Sequence, residues 1–77
     1  MSIHILYFAS LRESLGRGED EYRGATPVTA EALWERFNPE TPPPVNLLAA
    51  INQQYAALDS LARDGDEVAF FPPVTGG

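Results

Sequence analysis

Chemistry in this chain concentrates in its last two residues. Gly76 and Gly77 end the sequence in a carboxylate flanked by no side chain, so the end can thread a narrow channel and adopt backbone angles closed to other residues. The segment before them, Pro72-Pro73-Val74-Thr75, begins as a stiff spacer, because neither proline has an N–H to donate and each holds φ at about −65°. From Pro72 onward the chain can reach about 20 Å, at ~3.3 Å per residue. Small residues at a chain end ordinarily mean a frayed terminus. Here an apolar strand, a stiff spacer, two glycines and then nothing follow in that order, and a carboxylate presented in this way reads as a reagent.

The other side chains offer little competing chemistry. There is no cysteine, hence no thiol nucleophile and no thiolate metal site. His4 is the only histidine, and without a serine, cysteine or ligand cluster spaced around it, it reads as an ordinary strand residue. The acidic run Glu19-Asp20-Glu21 reads as solvated surface, since nothing nearby completes the oxygen shell of calcium or magnesium. Asp64-Gly65-Asp66 lacks the twelve-residue calcium loop around it and reads as a tight turn. No metal site is expected.

A chain of 77 residues is expected to form one domain with a small core, and 44% hydrophobic content suits a folded globule. Eleven acids against five bases give a formal charge of −6. That balance argues against nucleic acid and anionic membrane and for a basic partner surface. All five bases are arginines, Arg12, Arg17, Arg23, Arg36 and Arg63. The absence of lysine is either chance in a short chain or a way to deny an activated acyl terminus any ε-amine of its own. No basic, apolar leader and no long apolar run is present, so a cytoplasmic protein is expected.

The elements that must position the tail follow from periodicity. Ser2 to Ala9 reads as a strand with Ile3, Ile5 and Tyr7 on one face and His4, Leu6 and Phe8 on the other. Both faces are largely apolar, so Leu6 and Phe8 need a second layer or a partner. Leu11 to Gly18 is expected as a short helical turn or loop, and Glu19 to Gly24 as a short strand. Thr29 to Asn38 is the clear helix: Ala30, Leu33, Trp34 and Phe37 form one apolar stripe. Thr29 is its N-cap, Val28 a hydrophobic staple onto Leu33, and Asn38-Pro39 its end. Pro42 to Pro44 make a stiff crossover, Leu47 to Asn52 an interior strand, Tyr55 to Leu58 an edge strand and Asp59 to Arg63 a single helical turn. Glu67 to Phe71 is the last strand, with Val68 and Phe70 on one side. One helix covering one face of a small mixed sheet is an α+β arrangement.

Three stretches resemble the MoaD sulfur-carrier family, the small subunits of molybdopterin synthase: Ile3 to Glu13, Leu47 to Gln53 and, most specifically, Asp64 to Gly77. The resemblance implies a ubiquitin-like β-grasp over residues 1–71, with the first and last strands side by side in the middle, and a C-terminal tail over 72–77. It implies that Gly77 is adenylated by an ATP-dependent, MoeB-like enzyme and converted to a thiocarboxylate with sulfur from a donor. Gly77 then donates that sulfur to a cyclic pyranopterin monophosphate in the active site of a MoaE-like large subunit. Two small and two large subunits would form a heterotetramer. No cofactor would be held permanently; ATP is used by the activating partner, and catalytic side chains belong to the large subunit. Arg17 to Thr26 and the proline crossover are the least family-like parts. Rival readings are a thiamine-pathway sulfur carrier, a ubiquitin-like modifier and a passive interaction domain.

With Ile3, Ile5, Val68 and Phe70 under the helix, alternation sends Leu6, Phe8, Ala69 and Phe71 to the open face. Phe8 and Phe71 would form an apolar patch at the root of the tail, where a partner receiving Gly77 must also dock. The resemblance points to Phe71 and to Arg12, which could add an ion pair at the rim. In the competing arrangement Phe71 tucks over the sheet edge and Arg12 is solvated.

Overall fold

The computed structural model describes residues 1–73. Its first strand, β1 (Ile3–Tyr7), runs into a short helix, α1 (Ser10–Leu15), and returns as β2 (Glu19–Tyr22). A two-residue strand, β3 (Val28–Thr29), leads directly into the main helix, α2 (Ala30–Phe37). Then follow β4 (Leu48–Ile51), β5 (Gln54–Ala56), β6 (Leu61–Ala62) and β7 (Glu67–Phe71). Five strands form one sheet in the order β2-β1-β7-β4-β5, while β3 and β6 pair separately. β1 and β7 are the central, parallel pair, with Ile5 opposite Val68 and Tyr7 opposite Phe70; their neighbours run antiparallel. This is the expected β-grasp.

The helix forms where its apolar stripe and cap put it. The Thr29 hydroxyl accepts the Ala32 N–H at 3.1 Å, satisfying one of the free donors of the first turn. Ala30, Leu33 and Trp34 are buried against Ile3, Ile5, Val68 and Phe70, while Val28 and Phe37 pack at the margin. Trp34 stands edge-on to Phe70 and to Tyr7, at 5.4 and 6.0 Å between centroids. In so small a core, truncating Trp34 should cost about 3–5 kcal/mol. The indole N–H donates to the carbonyl of Thr41 at 2.7 Å, which ties the proline crossover to the core.

β4 is interior, between β7 and β5. Ala49 packs into the core under α2, and Ala50 points to the opposite face, 2% and 7% exposed. At the sheet end away from the tail, Asn52 and Asp66 join two turns: the Asn52 amide donates to the Asp66 carboxylate at 3.0 Å and its oxygen accepts the Glu67 N–H at 3.0 Å. Asp66 also accepts the Arg63 N–H at 2.8 Å, and Gly65 at φ 91° closes the turn where a side chain would be strained.

One expected element is different. Asp59 to Arg63 is not a helical turn: Leu61 and Ala62 are extended and pair with Thr29 and Val28. Ala62 is fully buried, and the Ala30 and Glu31 N–H groups donate to the carbonyls of Ser60 and Leu58. The start of α2 thus supplies tertiary partners that outcompete local helical bonds.

Candidate functional site

The site is built on the sheet face opposite α2. Register places Glu19, Leu6, Ala69, Ala50 and Tyr55 in one row across all five strands, and Phe71 beside Leu48 in the next row towards the tail. The row on the other side holds Glu21, His4 and Glu67. The open face is therefore polar at the start of β1 and β7 and apolar at their end, where the chain leaves for the tail.

Three aromatic rings occupy the apolar half. Phe71 lies between Phe8 and Tyr55, at 6.2 and 5.7 Å between centroids. Phe8 is 46% and Tyr55 75% exposed, whereas Phe71 and Leu6 are half-buried. Ala69 faces this side but is only 7% exposed, as is Ala50; the two small residues form the floor on which the rings stand. Ring-bearing surface of this kind on a chain of 77 residues calls for a partner, since large exposed aromatics cluster at interaction sites.

Local backbone geometry hangs Phe8 and Arg12 off one bend. The Phe8 N–H donates to the Phe70 carbonyl at 3.1 Å, extending the central pair, and its carbonyl accepts the Leu11 N–H at 3.2 Å. Between them Ala9 sits at φ 54°, ψ −132°, a strained conformation for a residue with a Cβ, worth about 1–3 kcal/mol. The bend turns the strand into α1, whose Leu11 is buried and whose Arg12 is exposed. Among the described residues Arg12 has no carboxylate within ion-pair distance.

Arg17, Asp20, Tyr7 and Asn38 form a part-buried polar cluster. Arg17 donates to Asp20 at 2.7 Å, to the Phe37 carbonyl at 2.9 Å and to the Asn38 amide oxygen at 2.5 Å, and lies over the Tyr7 ring at 5.3 Å. The Tyr7 hydroxyl donates to Asp20 at 2.9 Å and accepts from Asn38 at 3.2 Å. Burial pushes the Tyr7 phenol above its ordinary range, opposed by the Asn38 hydrogen bond and reinforced by the Asp20 carboxylate. The hydrogen bond to Asp20 holds the Arg17 guanidinium firmly charged. This cluster ties the α1–β2 loop to the end of α2 and reads as structural.

His4 bonds to Glu19 at 2.8 Å on the exposed polar half. Among the described residues no group of three or more His, Cys, Asp or Glu could hold a metal, and no helix is long and apolar enough to cross a membrane. Pro72 and Pro73 are described, half-buried and outside the sheet. Val74, Thr75, Gly76 and Gly77 lie outside the described residues.

Of the residues expected at the surface, Leu6, Phe8 and Phe71 come together as one patch and Ala69 lies beneath it. Tyr55 was not among those expected. The missing signal was the β4–β5 register: once Asn52-Gln53 makes the turn, Tyr55 falls opposite Ala50 and hence on the open face.

The comparisons with known proteins agree with this geometry. The ThiS family model matches residues 5–77. The molybdopterin synthase sulfur carrier subunit of Escherichia coli is 42% identical, over 97% of this chain and 99% of its own length. Among solved structures, SAMP1 from Haloferax volcanii covers 100% of both chains with a TM-score of 0.77 at 27% identity. A chain in the complex of subunits 1 and 2 of the molybdopterin-converting factor from Helicobacter pylori has the same fold, with a TM-score of 0.63 at 18% identity and 100% coverage of both chains. With the family model spanning nearly the whole chain and a relative above two-fifths identity matched end to end, this β-grasp chain belongs to the ThiS family.

Proposed function

We propose that this chain is the sulfur carrier subunit of a molybdopterin synthase, with the α-carboxylate of Gly77 as the sulfur-bearing group. The observation that carries the reading is the end-to-end similarity to a sulfur carrier subunit, joined to an apolar, aromatic half-face at the root of the tail.

The chemistry needs no side chain of this chain. A carboxylate is a poor electrophile until its oxygen attacks the α-phosphorus of ATP and pyrophosphate leaves. A sulfide-level donor then attacks the acyl carbon of the adenylate, AMP departs, and sulfur replaces one oxygen. The thiocarboxylate sulfur is a far better nucleophile than the oxygen it replaced. It displaces an oxygen at a side-chain carbon of the cyclic pyranopterin monophosphate, that oxygen leaving as water or on the opened phosphate ester, and hydrolysis of the acyl–sulfur bond returns the Gly77 carboxylate. Two such cycles supply the dithiolene of molybdopterin. ATP is held by the MoeB-like activating enzyme, and the acids and bases of the transfer by the MoaE-like large subunit. Gly76 and Gly77 pass through a channel of the large subunit while Phe8, Phe71, Tyr55 and Leu6 dock on its surface, with Arg12 at the rim. A heterotetramer of two small and two large subunits, in the cytoplasm, is the assembly proposed.

The test is a chain lacking Gly77 and a chain with one residue appended after it. Both should fold with an unchanged melting temperature and fail to convert the pterin precursor. Full activity from the extended chain, shown by mass to remain uncleaved, would falsify the carrier reading.

A further inference from the structure

We propose that Gly18 is a positioning residue: by having no side chain it lets the Arg12 guanidinium lie against the α1–β2 loop, aimed at a carboxylate of the large subunit. The inference rests on the docking surface proposed above. A Cβ at position 18 would lie 3.1 Å from Nε of Arg12, 3.5 Å from Cζ and 3.6 Å from Cδ. The inner edge of the guanidino group therefore runs along the Gly18 backbone, so closely that a Cβ at 18 would push Nε away by a few tenths of an ångström.

The geometry says which partner must yield. The Gly18 carbonyl accepts the Tyr7 N–H at 2.9 Å, which joins it to the central strand. On one side Arg17 is fastened to Asp20, Phe37 and Asn38; on the other, Glu19 begins β2, paired with Leu6. Helix α1 is fixed as well, by buried Leu11 and by left-handed Gly16, whose N–H donates to the Arg12 carbonyl at 3.1 Å. Only the Arg12 side chain is free to move, so a methyl at 18 turns the guanidinium rather than the loop. Gly16 needs its φ of 74°, whereas Gly18 has no positive φ; what Gly18 supplies is room. The guanidinium borders a shallow depression lined by Ala9, Arg12, Glu13, Gly16, Arg17 and Gly18. Arg17 is already engaged there with Asp20 and Asn38, which leaves Arg12 as the cation to receive an incoming carboxylate.

The experiment is a double-mutant cycle with the full chain and its large subunit. Affinity is measured for wild type, Gly18→Ala, Arg12→Ala and the double variant. A rim ion pair is worth about two- to fivefold in affinity, so each single variant should weaken binding by about that factor, at unchanged melting temperature. The double variant should bind no worse than Arg12→Ala alone, because a methyl cannot misdirect an absent guanidinium. In the free wild-type chain an NOE should join the Arg12 Nε–H to the Gly18 α-protons, and Gly18→Ala should lose it. A silent Gly18→Ala beside a weakened Arg12→Ala overturns the positioning role alone, as does an equal Gly18→Ala effect in both backgrounds, or a missing NOE in wild type. A silent Arg12→Ala overturns it together with the rim ion pair, leaving the aromatic docking surface and the sulfur chemistry to their own tests.

Discussion

Tyr55→Ala separates docking from folding better than any other change on the open face. An aromatic side chain presents about 200 Å² of surface, and with 75% of Tyr55 exposed, about 150 Å² remains for a partner to cover. At about 25 cal/mol per Å² full cover would contribute about 4 kcal/mol. The hydroxyl end stays wet and ordering the ring costs about 0.5–1.5 kcal/mol, leaving about 2 kcal/mol, on the order of 30-fold in Kd. In the free chain Tyr55 has one aromatic neighbour, Phe71, edge-on at 5.7 Å. Losing that pair should cost about 0.5–1 kcal/mol, a fall in Tm of less than about 8 °C for a domain of this size. Titration calorimetry against the large subunit and a thermal melt of the same preparation read both numbers. A large fall in Tm with unchanged affinity would refute the docking surface, because it would make Tyr55 a folding residue.

Phe71→Ala should affect both quantities: about 2 kcal/mol in binding, the usual hot-spot threshold, and about 1–2 kcal/mol in folding, a fraction of the full Phe→Ala cost because the ring is only half-buried. Calorimetry showing no change in affinity would remove it from the interface. Tyr7→Phe deletes the hydroxyl that donates to Asp20 and accepts from Asn38 and should cost about 1–2 kcal/mol of stability with binding unchanged; an unaltered denaturation midpoint would show that the cluster contributes nothing. Asp66 is held below the ordinary carboxylate range by the Asn52 amide and then by the Arg63 N–H. A folded pKa below the unfolded one gives stability that is full above the unfolded value, about 4, and is lost as pH falls through the folded value. Asp66→Asn should therefore melt below wild type at neutral pH and approach it in acid; a gap in Tm independent of pH would contradict the assignment.

Periodicity alone made α2 legible, because its four apolar residues and its threonine cap all point to one helix. The alternation of β1 and β7 likewise placed Ile3, Ile5, Val68 and Phe70 under the helix, where they are fully buried. Layer architecture followed from these, but the central parallel pairing needed the resemblance of Asp64 to Gly77, since strand order is not written in any one strand. Leu61–Ala62 escaped because a two-residue strand carries no period; its partner, the start of α2, is distant in sequence. Nothing local to Arg17 announces that Asn38 and the Phe37 carbonyl at the end of α2 will fold over it. Ala69 shows the limit of alternation, which gives the face a residue points to but not whether larger neighbours cover it.

Intact mass of the chain after incubation with ATP, the activating enzyme and a sulfur donor tests the central claim most directly. The account predicts one sulfur in place of one oxygen, located by fragmentation at Gly77, and reversal of that change on addition of the large subunit and the pterin precursor. An unchanged mass under conditions that activate the Escherichia coli relative, or sulfur located anywhere but Gly77, would contradict it.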